Sequence, residues 1–219
     1  MQIAIKNKWI QGWPESRSIA VLIILYAVGI TGVALSIHPD FLLLTPVNLL
    51  ISLVLVLYHH PQWSRSLWLF LPIAWLWGFA AELFGVQTGL LFGDYQYGRV
   101  LGWKVWDTPL MIGVNWAMLA YCTGITANHA LGQAHWLWRG LLASVLMVLL
   151  DVFIEPVAMR YDFWSWAGGA PPLQNYTGWF LVAFPLLSWF ASIQTGRRNK
   201  VALVLLALQF IFFITLNVL

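Results

Sequence analysis

Residues 137–157 read LWRGLLASVLMVLLDVFIEPV. About 20 mostly apolar residues suffice for a helix to cross a bilayer, and this run meets that length. Asp151 and Glu155 fall near its end. Four positions apart, they share one helical face, one turn from each other. Pro156 follows and biases Glu155 away from ideal helix. The run therefore poses both questions at once: a membrane span, and two carboxyl groups inside it.

Reading outward on the same scale gives further spans at about 18–37, 41–58, 66–87, 109–128, 178–195 and 201–218. Composition agrees. Hydrophobic residues make up 61% of the 219, and charged residues 9%, against about 25% in ordinary soluble domains. The first run is long and lacks a small-x-small cleavage site, so it reads as a retained helix. Pro46, Pro72, Pro156 and Pro185 lie in or at the ends of spans, where neighbours can satisfy the carbonyls they free. Connections at about 88–108 and 158–177 are rich in Gly and aromatics and poor in charge. They are expected to fold back onto the bundle. The expected fold is an all-α integral membrane protein: one domain over 1–219, about seven transmembrane helices, and two long loops capping the extracytoplasmic mouth.

Lys6, Lys8, Arg17, Arg65, Arg139, Arg197, Arg198 and Lys200 fall on one side of this topology, and Arg99, Lys104 and Arg160 on the other. The positive-inside rule then places the N-terminus in the cytoplasm and the C-terminus outside; the expected location is a bacterial inner membrane, as a multi-pass protein. A net charge of +3 from 11 bases and 8 acids gives no nucleic-acid footprint. Cys122 is a lone cysteine in an apolar run, which leaves no disulfide or cysteine metal site within one chain. Fifteen Trp exceed what interfacial belts need.

The acids sort more sharply than the bases. Glu15 alone falls on the cytoplasmic side. Asp40, Glu82, Asp94, Asp107, Asp151, Glu155 and Asp162 fall toward the outer half. Carboxyls without a basic partner in a low-dielectric site are held neutral, and neutral acids are proton donors.

Glu82, inside the third span, is a candidate by position, since ionisable residues at that depth carry function by default. The competing account is a bond to a loop amide or a pair with Arg99. The Asp151/Glu155 pair can divide acid and base roles; the competing account is a loop anchor with Arg160. Asp94, in Phe92-Gly93-Asp94-Tyr95-Gln96-Tyr97-Gly98, is a turn residue by type. Tyr95 and Tyr97 share one face of an extended segment beside it. Asp107-Thr108-Pro109 reads as a helix N-cap with Pro in the first turn. Asp162, Trp164 and Trp166 either line a site or sit at the interface. Asn115, Trp116, Asn175 and Trp179 lie within or at the start of spans, and a buried Asn needs partners. His59, His60, His129 and His135 read as interfacial on the far side. There is no ExxH or clustered HxxxH motif for a di-iron site and no Gly-rich phosphate loop. The last span has no mid-helix Lys for a retinal Schiff base. No metal or organic cofactor is expected.

From Glu82 to Phe180 the chain resembles the carotenoid-biosynthesis membrane-protein family that contains the carotenoid 1,2-hydratases. The matching residues are Glu82, Thr88-Gly89, Phe92-Gly93-x-Tyr95-x-Tyr97, Leu101-Gly102, Pro109, Asn115-Trp116, Asp151-x-x-x-Glu155-Pro156, Trp164-x-Trp166 and Asn175-x-x-Gly178-Trp179. Each piece is weak; the ordered set, over nearly half the chain, is specific. The resemblance implies a cofactor-independent addition of water to the terminal double bond of an acyclic carotenoid end, with a carotenoid and membrane lipids as partners. The catalytic candidates are then Glu82, Asp94, Asp151 and Glu155. Tyr95, Tyr97, Asn115, Trp116, Asp162, Trp164, Trp166, Asn175 and Trp179 are candidates to bind substrate. An acid protonates the alkene, aromatic faces stabilise the tertiary cation, and a carboxylate takes a proton from attacking water. Three other activities share parts of this pattern: a carotenoid cyclase, a Mg²⁺-dependent membrane prenyltransferase, and a carotenoid-binding protein.

Overall fold

The computed structural model describes residues 12–193 and 198–219. Lys6, Lys8 and Arg197 of the basic set, and the end of the sixth expected span, lie outside them. Among the described residues seven helices follow one another: α1 (Glu15–Ala34), α2 (Thr45–Tyr58, entered through a 3₁₀ turn at Phe41–Leu44), α3 (Arg65–Thr88), α4 (Leu110–Leu131), α5 (Trp136–Arg160), α6 (Leu173–Ser192) and α7 (Lys200–Val218). All but α6 are long and apolar enough to cross a membrane, α2 with its 3₁₀ turn included. The protein is an all-α multi-pass membrane protein. Helix α6 is less apolar because its first turns carry Gln174, Asn175 and Thr177, and Asn175 belongs to the site described below.

Helix ends follow local chemistry. Ser64 Oγ accepts from the Leu67 N–H to open α3, and Asn199 Oδ1 accepts from the Ala202 N–H to open α7. Gly89 ends α3 in the left-handed conformation, φ +67°, which costs glycine nothing. Two departures from the expected boundaries bear on the site. Helix α5 runs through Pro156 to Arg160, so Glu155 stays helical. Helix α6 starts at Leu173, directly after the extended Pro172, several residues early. The second connection is shorter for both reasons.

Helix α4 is the axis of the bundle. It is buried along most of its length, with Trp116, Met118, Leu119, Tyr121 and Ile125 fully enclosed. Helices α2, α3, α5, α6 and α7 all pack on it. In lipid such association depends on close packing rather than apolar burial, and small residues permit it. A Cβ on Gly140 of α5 would meet backbone and side chain of Ser188 on α6, and one on Gly124 would meet the Phe190 ring.

The two long connections fold over one end of the bundle, as expected, and they pair. Strand β1 (Tyr95–Tyr97) runs antiparallel to β4 (Trp164–Trp166), with Tyr95 opposite Trp166 and Tyr97 opposite Trp164. Period-two alternation turns Tyr95, Tyr97, Trp164 and Trp166 inward and leaves Gln96 and Ser165 exposed. A hairpin of β2 (Lys104–Val105) and β3 (Thr108–Pro109) leads into α4. Its turn residues, Trp106 and Asp107, have φ of 47° and 62°, as a two-residue hairpin turn requires. This overturns the reading of Asp107 as a helix cap. Pro109 holds the N-cap position of α4 with no side-chain bond, and Asp107 is exposed in the turn.

At the opposite end, His60 is not exposed. It is buried, with Nδ1 2.7 Å from the Tyr121 hydroxyl, to which Asn199 Nδ2 also donates. Burial pushes the His60 imidazole below its ordinary range, consistent with a neutral ring in a structural polar cluster.

Candidate active site

Three carboxyl groups lie buried beneath the paired connections. Glu82, Asp151 and Glu155 are each no more than 2% exposed. Among the described residues no ion pair reaches any of them. Arg99 pairs instead with Asp40 at 2.9 Å, and Arg160 donates to the Leu216 carbonyl. Arg99 and Arg160 are therefore not the partners of Glu82 and of the α5 pair.

Glu82 is held by aromatic donors. Its Oε2 accepts from the hydroxyls of Tyr95 at 2.6 Å and Tyr97 at 2.7 Å, and its Oε1 accepts from Trp116 Nε1 at 2.9 Å. Burial and the adjacent carboxyl hold both phenols well above their ordinary range, so they act as neutral donors. Glycines on α3 make the room. A Cβ on Gly78, one turn before Glu82, would collide with Trp116. One on Gly85 would come within 2.5 Å of Phe92 and 3.0 Å of the Tyr95 hydroxyl. Spacings of four and three residues put both glycines on the Glu82 face. Sequence reading passed over them, although that spacing was visible.

Glu155 is held in the same manner. Its Oε2 accepts from Trp164 Nε1 at 3.0 Å and Trp166 Nε1 at 2.8 Å. Its Oε1 accepts from Asn175 Nδ2 at 3.0 Å, and the same amide donates to Asp151 Oδ2 at 2.9 Å. Asn175 thus bridges the pair from the first turn of α6. The β1–β4 ladder joins the two halves of the site: the Tyr95 and Trp166 rings lie 5.0 Å apart and the Tyr97 and Trp164 rings 5.9 Å apart. Trp116 stacks on Trp179 with centroids at 4.5 Å. Apolar and π-rich walls thus surround three acids.

Of the residues expected from sequence, Glu82, Asp151, Glu155, Tyr95, Tyr97, Trp116, Trp164, Trp166, Asn175 and Trp179 come together. Asn115 is half-buried beside Trp116 on α4. Asp94 does not join them. Its side chain is exposed, and its carbonyl extends the ladder by accepting from the Ala167 N–H. Alternation explains this: two residues after an inward position comes another inward one, and Asp94 precedes inward-facing Tyr95. Asp162 is also exposed, 3.9 Å from Arg99, and lines a separate cavity of about 220 Å³ with Leu42, Leu43 and Tyr161. Among the described residues no group of three His, Cys, Asp or Glu side chains is placed to hold a metal ion.

Residues 42–219 match the family model described as carotenoid biosynthesis protein. The chain belongs to that family. The match extends beyond the motif-bearing segment to α2 and α7. A bisanhydrobacterioruberin hydratase from Haloarcula japonica is 29% identical over 190 residues, covering 83% of this chain and 64% of the relative. The match thus spans less than two thirds of that protein's length. No solved structure matches the chain.

Proposed function

We propose that the protein is a carotenoid hydratase that adds water across the terminal carbon–carbon double bond of an acyclic carotenoid end. The observation that carries this reading is the set of three buried carboxyls without basic partners among the described residues, enclosed by tryptophan and tyrosine at one end of a membrane bundle. Family membership and the hydratase relative support it. An alkene offers no group for strong hydrogen bonding, so its recognition falls to apolar and aromatic walls. Activation requires a proton donor, and the tertiary cation that follows is stabilised by π faces and fixed negative charge. A carotenoid roughly spans the bilayer, so its end group reaches the depth of these acids, close to water.

Purified protein incubated with an acyclic carotenoid in ¹⁸O-labelled water is expected to yield a tertiary alcohol carrying the label. Chelators are expected to leave the yield unchanged. A ring product would favour a cyclase; loss on chelation with recovery on Mg²⁺ would favour a prenyltransferase; stoichiometric retention of unchanged pigment would favour a binding protein.

The proposal includes orientation. With the N-terminus cytoplasmic, the carboxyl site lies toward the outer leaflet. Reporter fusions after Leu219 are expected to read as extracytoplasmic, and a cytoplasmic signal there would reverse the assignment.

A further inference from the structure

We infer that Asp151 is the proton donor of this site, with the acidic hydrogen on Oδ1, and that Glu155 and Glu82 work as carboxylates. The inference rests on the hydratase reading for its chemistry and on hydrogen-bond geometry for its assignment.

Asp151 and Glu155 share one amide group, and two carboxyls so placed cannot both be ionised without large mutual repulsion in a low-dielectric site. The donors decide which one keeps its proton. Glu82 accepts three hydrogen bonds, from Tyr95, Tyr97 and Trp116. Glu155 accepts three, from Trp164, Trp166 and Asn175. Indole N–H groups and the amide NH₂ only donate, so these contacts favour the anion. Asp151 accepts one, from Asn175 on Oδ2. Its Oδ1 is buried and finds no hydrogen-bond partner among the described residues. An anionic oxygen left so would carry the full cost of desolvation. A neutral acid with its hydrogen on Oδ1 leaves Oδ2 free to accept from Asn175 and presents an O–H with no competing acceptor. That is the arrangement suited to giving a proton to an alkene.

The step balances without a co-reactant other than water. The Asp151 Oδ1–H bond breaks as a C–H bond forms at the less substituted alkene carbon. The alkene's π electrons make that bond and leave a tertiary cation. Water adds to the cation through oxygen, and its proton passes to Glu155. The product is the tertiary alcohol. Glu155, now protonated, lies one helical turn from ionised Asp151, and return of that proton resets the pair. Glu82, fixed by its three donors, holds negative charge opposite the cation throughout. Asn175 holds the two members of the pair in register and is a positioning residue.

The test is infrared spectroscopy of the purified full chain at neutral pH, beside hydration assays. The wild-type protein is expected to show a protonated-carboxyl C=O band. Asp151→Asn removes it and lowers turnover by about 10²–10⁴-fold. Asp151→Glu keeps a protonated carboxyl but shifts its band, which answers the question even if the Asn variant fails to accumulate. A band unmoved by Asp151→Glu, or no protonated-carboxyl band in the wild type, overturns the assignment. A band that follows Asp151 in a protein that hydrates no acyclic carotenoid leaves the proton where it is placed here and removes the hydratase reading instead.

Discussion

Glu82→Gln protein is expected to fold, to retain carotenoid, and to hydrate it about 10²–10³-fold more slowly, the usual loss when a preorganised electrostatic group is removed. The geometry explains why so small a change matters. Glutamate offers acceptors on both oxygens, and Tyr95, Tyr97 and Trp116 all donate to it. Glutamine keeps one acceptor. If its oxygen stays with the tyrosines, its NH₂ faces the Trp116 N–H, donor against donor, and an unsatisfied buried donor costs about 1–3 kcal/mol. If the amide turns over, the phenols must reorient. In either case the negative charge opposite the cation is gone. The check is pigment analysis in a host that accumulates acyclic carotenoid, with protein level and bound pigment measured in the same membranes. Asp107→Asn, in the exposed β2–β3 turn, serves as the matched control and is expected to behave as wild type. Full alcohol yield from Glu82→Gln would remove Glu82 from the chemistry.

Sequence reading reached the helices because each is an apolar run of bilayer length, a signal that does not depend on partners. It reached the acids because carboxyls inside such runs need a reason to be there. Partners were harder to see. That Glu82 belongs to Tyr95 and Tyr97, and Glu155 to Trp164 and Trp166, depends on the antiparallel register of two strands nearly 70 residues apart. Two Y-x-Y and W-x-W tripeptides could be read as inward-facing pairs, but not as paired with each other. Asp94 and Asp107 show the same limit from the other side. Each is an acid in a plausible local context, yet strand alternation turns Asp94 out, and a hairpin turn takes Asp107 away from the α4 start. Asp162 was drawn to the site by Trp164 and Trp166 and lies with Arg99 instead. His60 follows the end of α2, and nothing local announces its buried contact with Tyr121, 61 residues distant in sequence. The glycines on the Glu82 face were legible by spacing, but only the position of Trp116 gives Gly78 its meaning.

Gly78→Ala is expected to damage both stability and turnover. Two terms oppose each other. Alanine in a helix interior is favoured over glycine by about 1 kcal/mol. Against that, the added methyl would overlap Cβ and Cγ of Trp116, and overpacking a filled core costs about 1–3 kcal/mol. Trp116 has little room to yield. It is fully buried on the central helix, stacked on Trp179 and bonded to Glu82. Relief comes by moving α3 away from α4 or by turning the indole, and both break the N–H bond to Glu82. The packing term therefore wins, and the apparent melting temperature in detergent should fall by on the order of 5 °C. Gly29→Ala supplies the contrast. Its methyl would meet only the edge of the Phe212 ring, at 3.0 Å, on α1 and α7 and away from the carboxyls. A small ring movement absorbs it, so its melting temperature and alcohol yield should stay near wild type. The decisive comparison is the pair of variants assayed side by side: equal activity from Gly78→Ala and Gly29→Ala would mean that the Trp116–Glu82 contact does not support turnover.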